Sequence, residues 1–331
     1  MKTAVVILNW NGRKLLDEFL PSVVRHSQGE AEIYVVDNAS TDNSISFLEY
    51  NFPEVKVIQN QTNGGYAKGY NEGLKHIDAD VFVLLNSDVE VSENWLHPVI
   101  QEFKNNSKLA AAQPKILDYK NKDYFEYAGA AGGFIDKYGY PFCRGRIFNT
   151  LEKDEGQYDG VSEIFWASGA CLFVKKEAFW EAGGFDEAYF AHQEEIDLCW
   201  RFFNLDYKVI CVSESKVYHL GGGTLKNTNP NKTFLNFRNS LFNIIKNAPK
   251  SKIATRVFIR MVLDGLAGIQ FIFSLKLIHF IAVLRAHISF YTNLRKILQK
   301  RTKTLKKECY YHHKSIVFSY FVKQIKSFNK L

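Results

Sequence analysis

Within the first 90 residues, short runs of apolar and β-branched residues alternate with segments of helical spacing. The runs are Thr3–Leu8, Glu32–Val36, Val55–Gln59 and Val81–Leu85. Between them, Arg13–Arg25 places Leu15, Leu16, Phe19, Leu20 and Val23 on one helical face, and Ser44–Tyr50 and Tyr66–His76 read as further helices. This order predicts βαβ units, hence a mainly parallel sheet with helices on both faces. In such sheets ligands gather beyond the carboxyl ends of the strands. Asn9, Asp37, Asn38 and Asp88 fall at those ends.

Beyond the fourth strand, residues 119–165 are rich in glycine and aromatic residues and read as hairpins or a flap. Regular structure resumes with a strand at Ala170–Val174 and a helix at Lys176–Ala182. A helix at Glu195–Asn204 follows, then two strands, Lys208–Cys211 and Ser215–His219. Gly221-Gly222-Gly223-Thr224 reads as a flexible stop.

Five segments carry residue types suited to chemistry. Asp37-Asn38-Ala39-Ser40-Thr41-Asp42 ends a buried strand with a carboxylate that suits a ribose hydroxyl or a base N–H. The same pattern also suits an Asx turn at Asp37 and a helix cap at Asp42. Asn63-Gly64-Gly65-Tyr66-Ala67-Lys68-Gly69 opens a helix, where backbone amides and Lys68 suit phosphate. It matches neither the dinucleotide fingerprint nor the P-loop; a turn followed by close helix packing is the alternative. Asn86-Ser87-Asp88 places an acid where Mg²⁺ or Mn²⁺ could be held against a diphosphate; a helix cap is the alternative. Glu194-Glu195-Ile196-Asp197 is an acidic cluster in apolar surroundings, suited either to a general base of raised pKa or to a helix N-terminus. Asp197 is also placed to pair with Arg201 at i+4. His219 ends an apolar strand, as a ligand or as a hydrogen-bonded structural residue.

Together these segments resemble the family 2 inverting glycosyltransferases of GT-A fold, and within them the bacterial rhamnosyltransferase-like enzymes of cell-surface polysaccharide synthesis. The likeness also includes Val5–Gly12, Ser168-Gly169-Ala170 and Gly183-Gly184-Phe185-Asp186-Glu187, in family order over about residues 3–222. It implies a GT-A domain over 1–245, with a nucleotide-binding N-terminal half and the acceptor side and base within 119–222, and a helical region over 246–331. It implies a nucleotide-sugar pocket from Asn9, Asp37, Asn38, Asn63, Gly65, Lys68, Asn86 and Asp88. Trp166, Ser168 and Gly169 fall on the acceptor side, and Asp88 with His219 on the metal. Asn86 stands where the first acid of the D-x-D motif would be. Glu195 matches the catalytic base, where the family usually has Asp, and Glu194 is a second candidate. The implied reaction is a metal-assisted single displacement onto an acceptor hydroxyl of a glycan, in a lipid-linked form.

The formal net charge of +7 invites a nucleic-acid reading, but its distribution argues against one. Residues 251–331 carry +14 and residues 1–250 carry −7. Basic residues interleaved with broad apolar faces match an interfacial helix. The expected location is cytoplasmic, at the inner face of a bacterial plasma membrane. Packing on the body and a homodimer interface are the other readings of this tail. Its longest uncharged run, Gly265–Leu275, is shorter than the ~20 residues a spanning helix needs. The cysteines at 143, 171, 199, 211 and 309 form no C-x-x-C pair, which suits a reducing compartment. The first apolar run is a strand, not a signal peptide. Two other classes fit less well. A nucleotidyltransferase generally has a glycine-rich basic loop after its first strand, where Asn9-Trp10-Asn11-Gly12 offers only Arg13 and Lys14. A non-catalytic nucleotide-sugar-binding or membrane scaffold is kept open by Asn86 and Glu195.

Overall fold

The computed structural model describes residues 1–221, 229–301 and 307–331. Its N-terminal half runs β1 (Thr3–Asn9), α1 (Arg13–Ser27), β2 (Glu32–Asp37), α2 (Ser44–Asn51), β3 (Lys56–Gln59), α3 (Gly65–Leu74) and β4 (Val81–Leu85). These strands pair in parallel in the order β3-β2-β1-β4. Alternate residues of β1 feed two separate cores, as strand geometry requires. Ala4 and Val6 pack on the side of α3, while Val5 and Ile7 pack on the side of α1 and α2. Helices therefore cover both faces, as the sequence pattern predicts.

The sheet then becomes mixed. β5 (Val89–Val91), α4 (His97–Asn105) and β6 (Leu109–Asp118) follow β4. A small antiparallel sheet comes next, made of β7 (Gly133–Ile135), β8 (Pro141–Cys143), β9 (Arg146–Ile147) and β10 (Thr150–Leu151). It occupies the middle of the glycine- and aromatic-rich stretch. The main sheet resumes with β11 (Val161–Ile164) and β12 (Cys171–Lys175), followed by α5 (Lys176–Glu181), α6 (Glu194–Asn204) and β13 (Lys208–His219). β12 lies antiparallel between β4 and β6. β13 is one strand where the sequence suggests two. Its pairing with β6 shifts register between Val212 and Lys216, so Glu214 and its neighbours form a bulge that looks like a break in sequence.

Three long helices follow the body: α7 (Pro230–Asn247), α8 (Ile253–Phe273) and α9 (Leu277–Gln299), and then a short α10 (Ile316–Phe321). α7 packs against α6, α8 and α9. The division expected at 245/246 falls in the last turn of α7. Among the described residues, no helix is long and apolar enough to cross a membrane.

Candidate active site

The parallel register of β1 and β2 sets Asn9 beside Asp37. Asn9 Nδ2 donates to Asp37 Oδ1 (3.0 Å) and to Ser40 Oγ (3.2 Å). Asp37 Oδ2 accepts from the Ser40 amide (2.9 Å), and Asp42 accepts from the Ser44 amide (3.1 Å). Asp37 thus bonds the amide three residues on, and the turn closed by its side chain belongs to Asp42, whose acceptor reaches the first amide of α2 while the N-cap residue Asn43 makes no side-chain cap bond. Asn38 Nδ2 donates to Asn63 Oδ1 (2.9 Å), which also accepts from the Gly65 amide (2.9 Å). These contacts stiffen the sheet edge. Asn9 Oδ1 is buried without a hydrogen-bond partner among the described residues, an acceptor left over for a donor from outside. Lys68 is exposed on α3. The glycines of α3 also serve packing: a Cβ on Gly69 or Gly73 would collide with Leu8 or Val36.

Asp88 follows β4 on the turn that carries Asn86. Antiparallel pairing of β5 with β13 places His219 opposite Val89, next to Asp88. His219 Nε2 lies 3.1 Å from Asp88 Oδ1, and its Nδ1 lies 3.1 Å from Glu126 Oε2. All three side chains are buried. Burial disfavours the imidazolium, but Glu126 and Asp88 outweigh it and raise the His219 pKa to about 10. Among the described residues no set of three or more His, Cys, Asp and Glu side chains surrounds a common metal position. Asp88 and His219 still fit a divalent cation as two adjacent donors, since carboxylate oxygen suits Mg²⁺ or Mn²⁺ and imidazole suits Mn²⁺. Ligation by His219 would require it to release its proton.

Glu194 and Glu195 open α6 after an unusual approach. Phe190, His192 and Gln193 all have left-handed backbone, with φ of 65°, 67° and 72°. Such residues cost of order 1–3 kcal/mol each and persist only when their surroundings fix them. Asn239 on α7 does much of the fixing: its Nδ2 lies within hydrogen-bond distance of the carbonyls of Tyr189, Ala191 and His192 (3.2, 3.0 and 2.7 Å). Asn243 Nδ2 reaches Gln193 Oε1 at 3.2 Å. On the other side the Phe190 carbonyl accepts from the Tyr66 amide (2.8 Å), an approach that a Cβ on Gly65 would block.

The acids of this helix differ. Asp197 is fully buried and receives Arg201, Lys246 and Asn247 at 2.7–2.9 Å. Burial would raise its pKa, but Arg201 and Lys246 hold it low. Glu194 is buried, its Oε2 has no hydrogen-bond partner among the described residues, and burial followed by repulsion from Glu195 pushes its pKa well above the usual carboxylate range. Glu195 is half-buried, and desolvation outweighs backbone amide donors to push it up to about 7. It combines access with a pKa suited to proton transfer near neutrality.

Two contacts join these parts. Tyr66 donates its hydroxyl to the Gly169 carbonyl (2.9 Å), and Glu194 and Glu195 both act on it electrostatically. The buried Cys143 thiol is within the electrostatic reach of both Glu126 and Glu195, and Arg146 Nη2 donates to its sulfur (3.2 Å). Cys143, on β8 of the small sheet, is thus near both Glu126 and Glu195. Of the expected acceptor-side residues, Gly169 is half-buried against Tyr66. Trp166 and Ser168 are buried: the indole donates to the Phe134 carbonyl, and Ser168 Oγ accepts from the Ala170 amide. Gly222, Gly223 and Thr224 lie outside the described residues. Sequence reading missed Glu126, Tyr66 as a bridge, and Asn239. Only a record of which positions meet across 47 to 103 residues of chain would have found them.

A family model described as "Glycosyl transferase family 2" matches residues 4–183, more than half of the chain. The chain belongs to glycosyltransferase family 2. Its similarity extends to an N-acetylglucosaminyl-diphospho-decaprenol L-rhamnosyltransferase of Mycobacterium tuberculosis, 25% identical over 233 residues, covering 65% of this chain and 75% of the relative. Two solved structures share the fold. A mannosyltransferase from Pyrobaculum calidifontis in complex with GDP-Man and Mn²⁺ has a TM-score of 0.55 at 12% identity, over 88% of this chain and 87% of that one. Residues 1–349 of S. aureus TarS in complex with UDP-GlcNAc give 0.54 at 16% identity, over 91% and 82%. The fold of this family 2 enzyme is GT-A. It transfers sugar from a nucleotide-sugar donor.

Proposed function

We propose that this glycosyltransferase inverts the donor's anomeric configuration and glycosylates a hydroxyl of a lipid-linked cell-surface glycan. The single observation that carries the mechanistic reading is Glu195: only partly buried, raised to about 7, and held at a helix N-terminus beside Tyr66. In this reading Glu195 takes the acceptor hydroxyl's proton while that oxygen attacks the anomeric carbon opposite the departing nucleoside diphosphate. Glu194, whose buried carboxyl has its pKa pushed up, is the second candidate for the base. Asn9, Asp37 and Asn38 bind the nucleoside end, with Asn63, Gly65, Lys68 and Asn86 around the rest of the donor. Asp88 and His219 are the residues that would hold Mg²⁺ or Mn²⁺, and a cation bound there offsets charge on the leaving diphosphate.

The lipid-linked acceptor is supported by the decaprenol-diphosphate glycan in the name of the mycobacterial relative. A membrane-side location is supported by the unbalanced charge of residues 251–331. Rhamnose from a thymidine nucleotide is the first donor to test. In a thermal-shift screen of nucleotide-sugars with Mn²⁺, the true donor stabilises the folded state by RT ln(1 + [L]/Kd) and so raises the melting temperature. NMR of the product then reads the anomeric configuration; retention would overturn the mechanism.

Two further results are expected. kcat/KM rises about tenfold per pH unit below pH 7 and levels off above it, because only ionised Glu195 accepts the proton. A flat profile from pH 5 to 8 contradicts this assignment. Asn239→Ala removes the side-chain donor from the Ala191 and His192 carbonyls, so urea denaturation should show a loss of about 1–3 kcal/mol. It should lower kcat, because the segment it releases leads into Glu194 and Glu195, and raise the donor KM as well, because Phe190 of the same segment holds the Tyr66 amide beside Gly65.

A further inference from the structure

α8 is built inside out. Its charged residues Arg256, Arg260 and Asp264, spaced four apart, are buried against the body. Arg260 Nε donates to Asp264 Oδ1 (2.8 Å) and its guanidinium stacks on Tyr140 (3.7 Å), whose hydroxyl also donates to Asp264 (2.7 Å). Arg256 pairs with Glu308 (3.1 Å). The opposite face, with Phe258, Val262, Leu266 and Phe273, is exposed. α9 packs antiparallel to α8 and exposes Ile281, Leu284 and Ile288 at matching spacing. At the connecting turn, Phe273 is 84% and Leu275 89% exposed. Isolated exposed apolar residues are ordinary, but a contiguous face of this kind marks an interaction surface.

The charges around this face identify its occupant. Between Ile253 and Gln299 the only acid is the buried Asp264, whereas Lys276, Arg285, Arg295 and Lys296 are exposed. A second copy would bring the same cations to its own face. An anionic lipid surface meets both the apolar face and its cationic surround.

The turn also lies close to the site. His279, at the start of α9, shares a hydrogen bond with Thr233 Oγ1 on the first turn of α7 (2.8 Å). The adjacent Lys232 acts electrostatically on His192 and feels Glu126. One helical turn thus links the α8–α9 connection to the surroundings of both Glu195 and His219.

We propose that the α8–α9 hairpin inserts its apolar face and its connecting turn into the surface of an anionic bilayer, and so holds the catalytic site beside the lipid. This deepens the membrane-side reading of residues 251–331 given above. It also changes the source of attachment: the buried Arg256 and Arg260 do not reach headgroups, so apolar insertion carries the binding and exposed cations assist.

The test is flotation of the full chain with phosphatidylcholine vesicles, with and without phosphatidylglycerol, at low and high salt. The wild-type chain should float with phosphatidylglycerol vesicles and remain partly bound at high salt. The double variant Phe273→Ser, Leu275→Ser should partition at least about tenfold less. Its donor-induced thermal shift with Mn²⁺ should be unchanged, which shows that it is folded. A double variant that floats like the wild type overturns the proposal, as does a wild-type chain that binds neither vesicle. A wild-type dimer in sedimentation that the double variant dissolves, without flotation, assigns the face to a second copy and also overturns it. If flotation behaves as expected but no nucleotide-sugar shifts the melting temperature, the docking stands and the proposed donor reading fails.

Discussion

Glu195→Gln is expected to lower kcat about 10²–10⁴-fold, the usual contribution of a positioned general base, with the donor's Mn²⁺-dependent thermal shift intact. The amide matches the carboxylate in size but cannot take a proton. The same variant should be no less stable than the wild type, and more stable above neutral pH. The sign follows from linkage. The unfolded chain releases this proton near 4.5 and the folded chain near 7. Between those values the folded state binds more protons, so its stability falls as pH rises. Gln carries no such penalty. Melting curves at pH 5 and pH 8, run beside single-turnover transfer assays, check both halves. Transfer at the wild-type rate would remove Glu195 from the role of base. Loss only in Glu194→Gln would move the role to its neighbour.

Asp88→Ala is expected to abolish transfer and the dependence of donor binding on Mn²⁺ together. It is also expected to cost stability, because His219 would keep only Glu126 of its two carboxylates in a buried site. Breaking a buried ion pair from one side costs of order 3–5 kcal/mol. Asp88→Asn preserves shape and one oxygen, so it should fold better while still losing most activity. Isothermal titration of the donor, with and without Mn²⁺, separates the two effects. Full activity in excess chelator would remove the metal role from Asp88 and His219.

The hairpin of α8 and α9 shows how a charge count misleads when read without a fold. The apolar stretch interrupted by Arg260 and Asp264 reads in sequence as a surface helix whose charges face solvent or headgroups. In the structure those charges neutralise each other against Tyr140, and it is the apolar side that faces outward. Helical periodicity sets which residues share a face; it does not say which face is turned inward.

The sequence by itself determined the parallel half of the sheet, because alternating apolar runs and helical spacing leave few other ways to bury both. It also determined that Asn9, Asp37 and Asp88 stand at one edge, since they end strands that must run in parallel. The family follows from the order of its motifs. Tertiary structure alone decided the chemistry of the acids. Glu194, Glu195 and Asp197 are nearly adjacent in sequence, yet burial pushes the first well above the usual carboxylate range, the second is poised near 7, and Arg201 and Lys246 hold the third low. It also decided that Glu126 backs His219 and that Asn239 braces the approach to α6. A pKa or a brace depends on burial and on partners within a few ångströms, and those partners come from distant parts of the chain.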